Sequence, residues 1–247
     1  MKLNPEKYFH GSLLLLVEAV LRHNINEIKY QIDKGVDINS TGNEGMTPII
    51  FSVLNQDEEG IRLLVQNGAD PLMLVPNTGS ALLIACRTED TTALKTLIHA
   101  GVDINTKINK EPLTFVAARA DNLPAIQILI QKGIHVDARD GSGNTLLIES
   151  IVVNDIDLAD WLIQRHANVH VINVFLISAA FKIQSRFNET FGKGPNETRY
   201  RKLKRMFEMR GVNFPVPTPF ELEKKLKKNS LTIEEAEQIN ELGEIVI

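Results

Sequence analysis

The chain contains a single cysteine, Cys86, in 247 residues. One thiol excludes an intramolecular disulfide and a cysteine-rich metal site. Long hydrophobic runs are also missing, because the run LLLLV at 13–17 is far shorter than the roughly 18 residues that span a bilayer. The N-terminal sequence MKLNPEKYFHG has no apolar core followed by a small-residue cleavage site, so no signal peptide is predicted.

An excess of positive charge is missing as well. The formal net charge is −4 and the isoelectric point is about 5.9. Duplex nucleic acids are bound by a basic face, so the composition argues against a nucleic-acid partner. Apolar residues make up 43% of the chain and charged residues 23%, which is an ordinary composition for a protein that buries a core.

What the chain does contain is a repeated phrase. It reads KGVDINS at 34–40, NGADPLM at 67–73, AGVDINT at 100–106, KGIHVDA at 132–138 and RGVNFPV at 210–216. The first four align on Gly35, Gly68, Gly101 and Gly133, at steps of 33, 33 and 32 residues. A further step of 33 residues leads to His166, and Gly211 follows after 45. A fixed period of this length indicates stacked structural repeats.

An amphipathic helix is predicted before each of these positions, because apolar residues recur at helical spacing. The five helices are predicted over 25–35, 58–68, 91–101, 123–133 and 156–166. Glycine suits the end of such a helix, since the next residue often takes a positive φ that a Cβ disfavours. His166 stands where glycine is expected, and histidine tolerates this backbone region better than most residues.

A second, shorter helix precedes each of the later four. These inner helices are predicted over 47–57, 80–90, 112–122 and 144–155, and the first inner helix over 12–24. Thr47, Ser80 and Thr145 stand at three of the predicted starts, where a hydroxyl can cap the helix, whereas Pro112 stands at the fourth. Segments rich in Gly, Asn and Asp between the units read as turns. Each unit is therefore a turn, an inner helix, an outer helix and a corner.

The 33-residue period with its G-A/V-D-x-N and TP motifs resembles that of ankyrin repeats. The resemblance implies an all-α ankyrin-repeat solenoid of about five to six helix-turn-helix units with capping helices, in which stacking buries the apolar faces. The expected repeat domain is 1–217, followed by a C-terminal helical tail, 218–247. Its units are 9–40, 41–73, 74–106, 107–138, 139–171 and an irregular 172–214.

The two ends are expected to cap the stack. At the front, Tyr8 and Phe9 are predicted to cover the first inner helix. At the back, we predict a longer helix over 174–187, a loop insertion over 188–197 and a final outer helix over 198–211. PVPTP at 215–219 is predicted to break that helix, and 220–229 and 231–243 to form two more short ones.

Candidate reactive groups are few. Cys86 lies at a small-residue position in a predicted inner helix, so buried packing is favoured over a catalytic role. His166 and His170 have the i, i+4 spacing of metal ligands but straddle a predicted helix end. The basic residues at 199–205 suggest phosphate or membrane contact, but their alternation with apolar residues favours a capping helix with a solvated face. We therefore predict no enzymatic activity, no cofactor and no metal site.

A protein-binding face is predicted instead, on the concave side of the stack. The helix positions expected there are Glu18, Arg22, Phe51, Asn55, Ile84, Arg87, Arg119, Glu149 and Val152. The turn tips add Asn43, Glu44, Asn77, Lys107, Lys110, Arg139 and Asp140. Phe51 is the expected anchor, because aromatic and arginine side chains are favoured at interfaces. The apolar turn at 70–79 either joins this face or packs between turns.

Four segments carry a narrower resemblance. NPEKYFHG at 4–11, EGMTPIIFSV at 44–53, GADPLMLVPNTGSAL at 68–82 and RGVNFPVPTP at 210–219 look like bacterial ankyrin-repeat immunity proteins. That family is encoded beside type VI secretion phospholipase effectors. The resemblance implies a cognate phospholipase as the partner. It also implies a periplasmic or membrane-attached location if a leader was removed, with membrane contact only through that leader. The alternative is a cytoplasmic ankyrin scaffold or adaptor, or a host-directed bacterial effector.

Overall fold

The structure, a computed structural model, describes residues 2–108, 110–189 and 197–240. Its helices are α1 (Gly11–Leu21), α2 (Ile25–Asp33), α3 (Pro48–Leu54), α4 (Glu58–Gln66), α5 (Ala81–Arg87), α6 (Thr92–His99), α7 (Leu113–Arg119), α8 (Leu123–Gln131), α9 (Leu146–Val152), α10 (Ile156–Gln164), α11 (Ala179–Glu189), α12 (Glu197–Glu208), α13 (Pro219–Lys227) and α14 (Ile233–Asn240). Over these described ranges no β-strand forms, and only isolated bridges occur, in turns. The predicted all-α fold class is confirmed.

The chain forms two compact units. The first consists of Met1–Thr106 and Val116–Gly133, and the second of Lys107–Phe115 and Ile134–Ile247. In the first unit, inner helix α3 packs against α4 and α5, and outer helix α4 packs against α6. The core of this unit includes side chains whose exposed fraction is at most 1%, among them Leu16, Ile50, Leu82 and Leu94. Full burial of one such side chain stabilises the fold by about 1.5–3 kcal/mol, so neighbouring repeats supply the core that one pair lacks.

The N-terminal segment packs within the first unit, but Tyr8 and Phe9 contact the second inner helix, α3, where the first had been predicted. A 3₁₀ turn at Pro5–Lys7 precedes Tyr8 and Phe9, both of which are buried. The ring centroid of Phe9 lies 5.4 Å from that of Phe51, edge to face, and that of Tyr8 lies 6.1 Å from it. The Asn43 N–H donates to the Tyr8 carbonyl at 2.7 Å. The non-repeating start of the chain is thus fixed to the second repeat.

Side-chain caps begin most of the helices. The hydroxyls of Thr47, Ser80 and Thr145 accept backbone N–H bonds at 3.2, 3.3 and 3.4 Å, which confirms the three predicted caps. Outer helices have caps of their own. In four of them, the side chain of the cap residue accepts a hydrogen bond from the backbone N–H three residues further along the chain. The four cap residues are Asn24, Asp57, Asn122 and Asp155.

The predicted corners are also confirmed. Their φ angles are +91° at Gly35, +96° at Gly68, +89° at Gly101, +114° at Gly133, +64° at His166 and +86° at Gly211. After Gly101, the N–H of Val102 donates back to the Leu97 carbonyl at 3.2 Å, which satisfies a carbonyl at the end of α6. Each outer helix therefore stops at the same bend.

A second set of positive φ angles, which we did not predict, lies in the turns before the inner helices. It recurs every 33 residues, at Glu44 (+56°), Asn77 (+64°), Lys110 (+66°), Gly143 (+76°) and Leu176 (+59°). Only one of these residues is glycine, so the composition of the turns does not reveal the position. Each of these repeats is thus bent in the turn before its inner helix as well as at the corner after its outer helix.

In the second unit, α9 packs against α10 and α11, and α12 packs against α10 and α11. Tyr200, Leu203 and Phe207 of α12 are buried. On its other side, the Arg199 guanidinium lies 2.9 Å from the Asp157 carboxylate of α10, and Lys202 pairs with Asp160 of the same helix. The basic stretch at 199–205 is therefore a capping helix, as favoured.

The predicted start of the helix at 174–187 is wrong. The helix begins at Ala179, because the Asn173 carboxamide oxygen accepts the N–H groups of Phe175 and Ile177 at 2.9 and 3.0 Å and holds a turn. Asp140, 33 residues earlier, makes the same kind of turn with Ser142 and Asn144. The irregular unit therefore starts as a regular repeat.

The C-terminal tail is helical where the structure describes it. Helices α13 and α14 correspond to the segments predicted at 220–229 and 231–243. Residues 190–196 of the predicted insertion at 188–197, and residues 241–247 of the tail, lie outside the described residues.

Replacing Gly101 by Val is expected to lower the free energy of unfolding by about 1–3 kcal/mol, because a β-branched residue resists the positive φ at this corner. Apart from the two chain neighbours, no described heavy atom lies within 4 Å of the position that a Cβ would take, so the loss would report backbone strain and not a clash. Urea unfolding followed by circular dichroism measures it.

Gly101→Asn is the matched control. Asn tolerates the left-handed region, so this variant is expected to lose less than about 1 kcal/mol. Equal stability of the Val and Asn variants would contradict the assigned role of the corner.

Candidate functional site

The exposed ends of the inner helices form the candidate site in the first unit. We call Leu54, Arg87 and Arg119 the inner-helix row, because each is the last residue of its helix, namely α3, α5 and α7. The two arginines are exposed, and Leu54 is 44% exposed. Arg87 and Arg119 were predicted for this face, whereas Leu54, their equivalent seven residues after the cap Thr47, was missed.

The predicted anchor Phe51 is not on this face. Its side chain is completely buried against Phe9 and Tyr8, so it is unavailable to a partner and that prediction is wrong. The physical reason is the N-terminal cap, which covers a position that the repeat pattern alone leaves open. Phe51 therefore belongs to the core of the first unit.

Several other residues of the first unit that were predicted to bind a partner form contacts within the unit itself. Asn55 accepts the N–H of Leu3 at 2.7 Å and donates to the Phe51 carbonyl at 3.0 Å. Arg22 pairs with Glu18 at 3.2 Å within α1. Ile84 is half-buried in α5.

Three turn tips of the first unit were also predicted to bind. The Asn43 amide donates to the Lys7 carbonyl at 3.0 Å, and Glu44 pairs with Lys7 at 3.2 Å, so both tie the cap to the second repeat. Asn77 is exposed at the next tip, with a positive φ. In the apolar turn that follows Gly68, Leu74 is 54% exposed and Val75 is buried. Leu74 is therefore open to solvent, whereas Val75 packs within the turn.

In the second unit, two predicted turn residues are engaged with their own backbone. The Arg139 guanidinium donates to the carbonyls of Gly143 and Ile172, at 3.3 and 2.9 Å, and its side chain is half-buried. The Asp140 carboxylate accepts two N–H groups of its own turn at 2.8 Å. These residues hold the turn, so their side chains do not project as binding groups.

The remaining predicted residues of the second unit are more open. The Lys107 ammonium donates to the Arg139 carbonyl at 3.0 Å, and Lys110 is exposed at a positive φ. Glu149 is half-buried, and Val152 is 37% exposed at the end of α9. Its neighbour Val153, which we did not predict, is 61% exposed. The end of α9 thus presents aliphatic surface where α5 and α7 end in arginine.

The reactive groups weighed from the sequence do not assemble into a site. Burial raises the pKa of the Cys86 thiol to about 12, so the thiolate is scarce at neutral pH. His166 occupies a corner, and the His170 ring bonds to the Arg210 carbonyl at 2.9 Å. In the described ranges, no three His, Cys, Asp or Glu side chains lie close enough to hold a metal ion.

A search for membrane-spanning helices found none of sufficient length and hydropathy in the described parts of the chain.

Known proteins show the same architecture. The family described as ankyrin repeats (3 copies) matches residues 16–108 and, overlapping them, residues 82–173. The chain belongs to the ankyrin repeat family. Ankyrin repeats are generally non-catalytic scaffolds that bind protein partners, and this chain is an ankyrin-repeat protein-binding module.

Relatives come from bacteria and animals. The ankyrin repeat protein YahD of Escherichia coli (strain K12) is 29% identical over 139 residues, which cover 56% of this chain and 69% of that protein. The B-cell lymphoma 3 protein homolog of Mus musculus is 29% identical over 166 residues, 62% of this chain and 36% of its own length. This ankyrin-repeat chain therefore spans only part of the mouse protein.

Two solved structures share the fold. The ankyrin repeat domain of Bcl-3 aligns with a TM-score of 0.66 at 21% identity, over 92% of this chain and 97% of that one. The human ASB11 ankyrin repeat domain aligns with a TM-score of 0.57 at 16% identity, over 83% and 87%. At these identities the likeness shows the fold alone.

Phe51→Ala is expected to lower the free energy of unfolding by about 3–5 kcal/mol, because it leaves a cavity among buried aromatic rings. Leu54→Ala, three residues further on, is the control and should cost less than about 1 kcal/mol, since Leu54 is largely solvated. Thermal and urea unfolding of both variants measure the difference. Similar losses at the two positions would contradict the burial of Phe51.

Proposed function

We propose that this ankyrin-repeat chain is an immunity protein that binds a cognate phospholipase effector of type VI secretion and blocks its activity. The four segments that resemble this class of proteins support the proposed partner. The inner-helix row supports binding as the mode of action, because its three side chains are exposed to solvent.

The chemistry of the inner-helix row suits a protein interface. Two guanidinium groups stand at equivalent positions of α5 and α7, and an exposed leucine stands at the end of α3. Arginine is enriched at interface centres because its planar group pairs with carboxylates and stacks on aromatic rings. An apolar neighbour adds contact area that can be desolvated. We expect a stable complex to bury on the order of 800 Å² on this protein.

Inhibition by binding needs no reactive group on the inhibitor. A protein that covers the entrance of a lipase, or holds its lid closed, prevents substrate from reaching the active site. This mode of action is compatible with the buried and weakly acidic Cys86 thiol.

The direct experiment has two steps. The tagged chain is first used to co-purify partners from the native host, and a captured phospholipase is then assayed with increasing amounts of the chain. The proposal expects loss of phospholipid hydrolysis that reaches completion near one equivalent. The second candidate function is a cytoplasmic scaffold or a host-directed effector, which is compatible with the similarity to YahD of E. coli. Capture of a partner without lipase activity would favour that candidate.

The residues are tested by the double variant Arg87→Glu/Arg119→Glu. Charge reversal in the inner-helix row is expected to weaken binding of the captured partner at least about tenfold, with little change in the melting temperature. Isothermal titration calorimetry measures the affinity.

Lys95→Glu is the control, since Lys95 is exposed on outer helix α6, in the same repeat as Arg87. It should change the affinity less than about twofold. Unchanged affinity in the double variant would place the contact at the turns or on the outer helices.

A further inference from the structure

A groove in the second unit is formed without any residue of the inner-helix row. It runs between α11 and the segment 213–218 that leads into α13, and we call it the tail groove. It consists of two adjoining cavities of about 690 and 290 Å³. Gln184 and Pro215 line both cavities, so the two lie side by side.

One end of the tail groove is cationic. Lys224, Lys225 and Lys228 of the α13 region line it. The Lys225 ammonium is paired with Glu235 at 2.5 Å, whereas those of Lys224 and Lys228 are exposed and form no hydrogen bond or ion pair with any described residue. Two solvated cations are therefore available to an anionic ligand.

Among the described residues that line this end, the one carboxylate is already engaged. Glu221 accepts from the Thr218 N–H at 2.8 Å and from its hydroxyl at 2.9 Å, in the capping box of α13. These bonds, the backbone one first, hold the pKa of Glu221 below its usual range, so it remains ionised at neutral pH. Its charge offsets one lysine, and the cationic end keeps a positive excess.

The other end of the tail groove is apolar and aromatic. Ile183, Phe187, Phe214 and Pro215 line the smaller cavity. The Lys204 ammonium lies 5.0 Å from the ring centroid of Phe214 and 6.0 Å from that of Phe187. Both rings are half-buried, and both line the smaller cavity.

The groove is held in shape by its own hydrogen bonds. The Gln184 amide donates to the Val216 carbonyl at 3.1 Å, and the Val216 N–H donates to the Gln184 side-chain oxygen at 2.8 Å. This pair ties the segment at 213–218 to α11. A groove that is formed before binding costs a ligand less ordering.

We propose that the tail groove is a second protein-binding site, which takes an extended acidic segment of a partner protein that carries one bulky apolar residue. Acidic residues of the segment would face Lys224 and Lys228, and the apolar residue would enter the cavity between Phe187 and Phe214. Charge complementarity supports this occupant, because a local cationic groove on a chain of net charge −4 concentrates acidic ligands at that place.

The test uses the full chain and a fluorescein-labelled peptide with one phenylalanine, two glycines and four glutamates. Fluorescence anisotropy is expected to show saturable binding. A peptide with serine in place of phenylalanine should bind at least about threefold more weakly, because it cannot fill the apolar end. A peptide with lysines in place of the glutamates should not bind.

The matched protein variants are Lys224→Glu and Lys227→Glu, both in the last turn of α13. Lys224 lines the groove, whereas Lys227 pairs with Glu223 at 2.6 Å and does not line it. Lys224→Glu is expected to weaken peptide binding at least about fivefold, and Lys227→Glu less than about twofold. Circular dichroism verifies that both variants keep the helical content of the parent.

Three results would overturn the proposal. Equal effects of the two lysine variants would show attraction to the general charge of α13 and not to the groove. Equal affinity of the phenylalanine and serine peptides would remove the apolar end from the site. Binding to phosphatidylglycerol vesicles that Lys224→Glu abolishes, without binding of the peptide, would make the groove a lipid contact.

Discussion

Every repeat of this protein depends on a bend where its outer helix ends. The bend requires one residue with a positive φ, found at Gly35, Gly68, Gly101, Gly133 and His166, and again at Gly211. A backbone in this region is disfavoured for most residues, so the positions are restricted mainly to glycine. Because the bend recurs at nearly constant spacing, helix pairs that are neighbours within one unit meet at equivalent residues and bury one another's apolar faces.

The candidate binding residues lie at the ends of the inner helices, where this packing leaves side chains exposed to solvent. Inner helices are buried along most of their length, as in α5, where five of seven residues are buried. In α3, α5, α7 and α9 the last residue lies beyond the covered part and is exposed. Leu54, Arg87 and Arg119 occupy this place in the first unit, and Val152 occupies it in the second. The repeats therefore fix where a binding residue stands and leave its chemistry open.

Local rules were sufficient to predict the repeats, the caps at Thr47, Ser80 and Thr145, and the corners, because each depends on residues close in sequence. A long-range contact explains one error and a local side-chain turn explains the other. Phe51 is hidden by Tyr8 and Phe9, which belong to no repeat. The turn at 174–178 is apolar enough to resemble a helix, and the Asn173 side chain that bends it gives a weak sequence signal.

The tail groove also escaped prediction from the sequence. Its walls come from α11, from the segment at 213–218 and from α13, which no repeat pattern relates. The pairing of Gln184 with Val216 depends on packing within the second unit, across 32 residues. The sequence placed the lysines of α13 in a predicted helical tail and showed no sign of a groove. A repeat protein can thus carry binding surfaces that its repeats do not specify.

The most direct test of the account replaces Gly35 with L-alanine and with D-alanine by semisynthesis, since a D-residue prefers the positive φ of +91° found there. We predict that the D-alanine protein is at least as stable to urea as the parent, because the substitution restricts the unfolded chain by about 0.4–1 kcal/mol. The L-alanine protein should be less stable than the parent by about 1 kcal/mol. An L-alanine protein as stable as the D-alanine protein would contradict the claim that left-handed corners set the repeat.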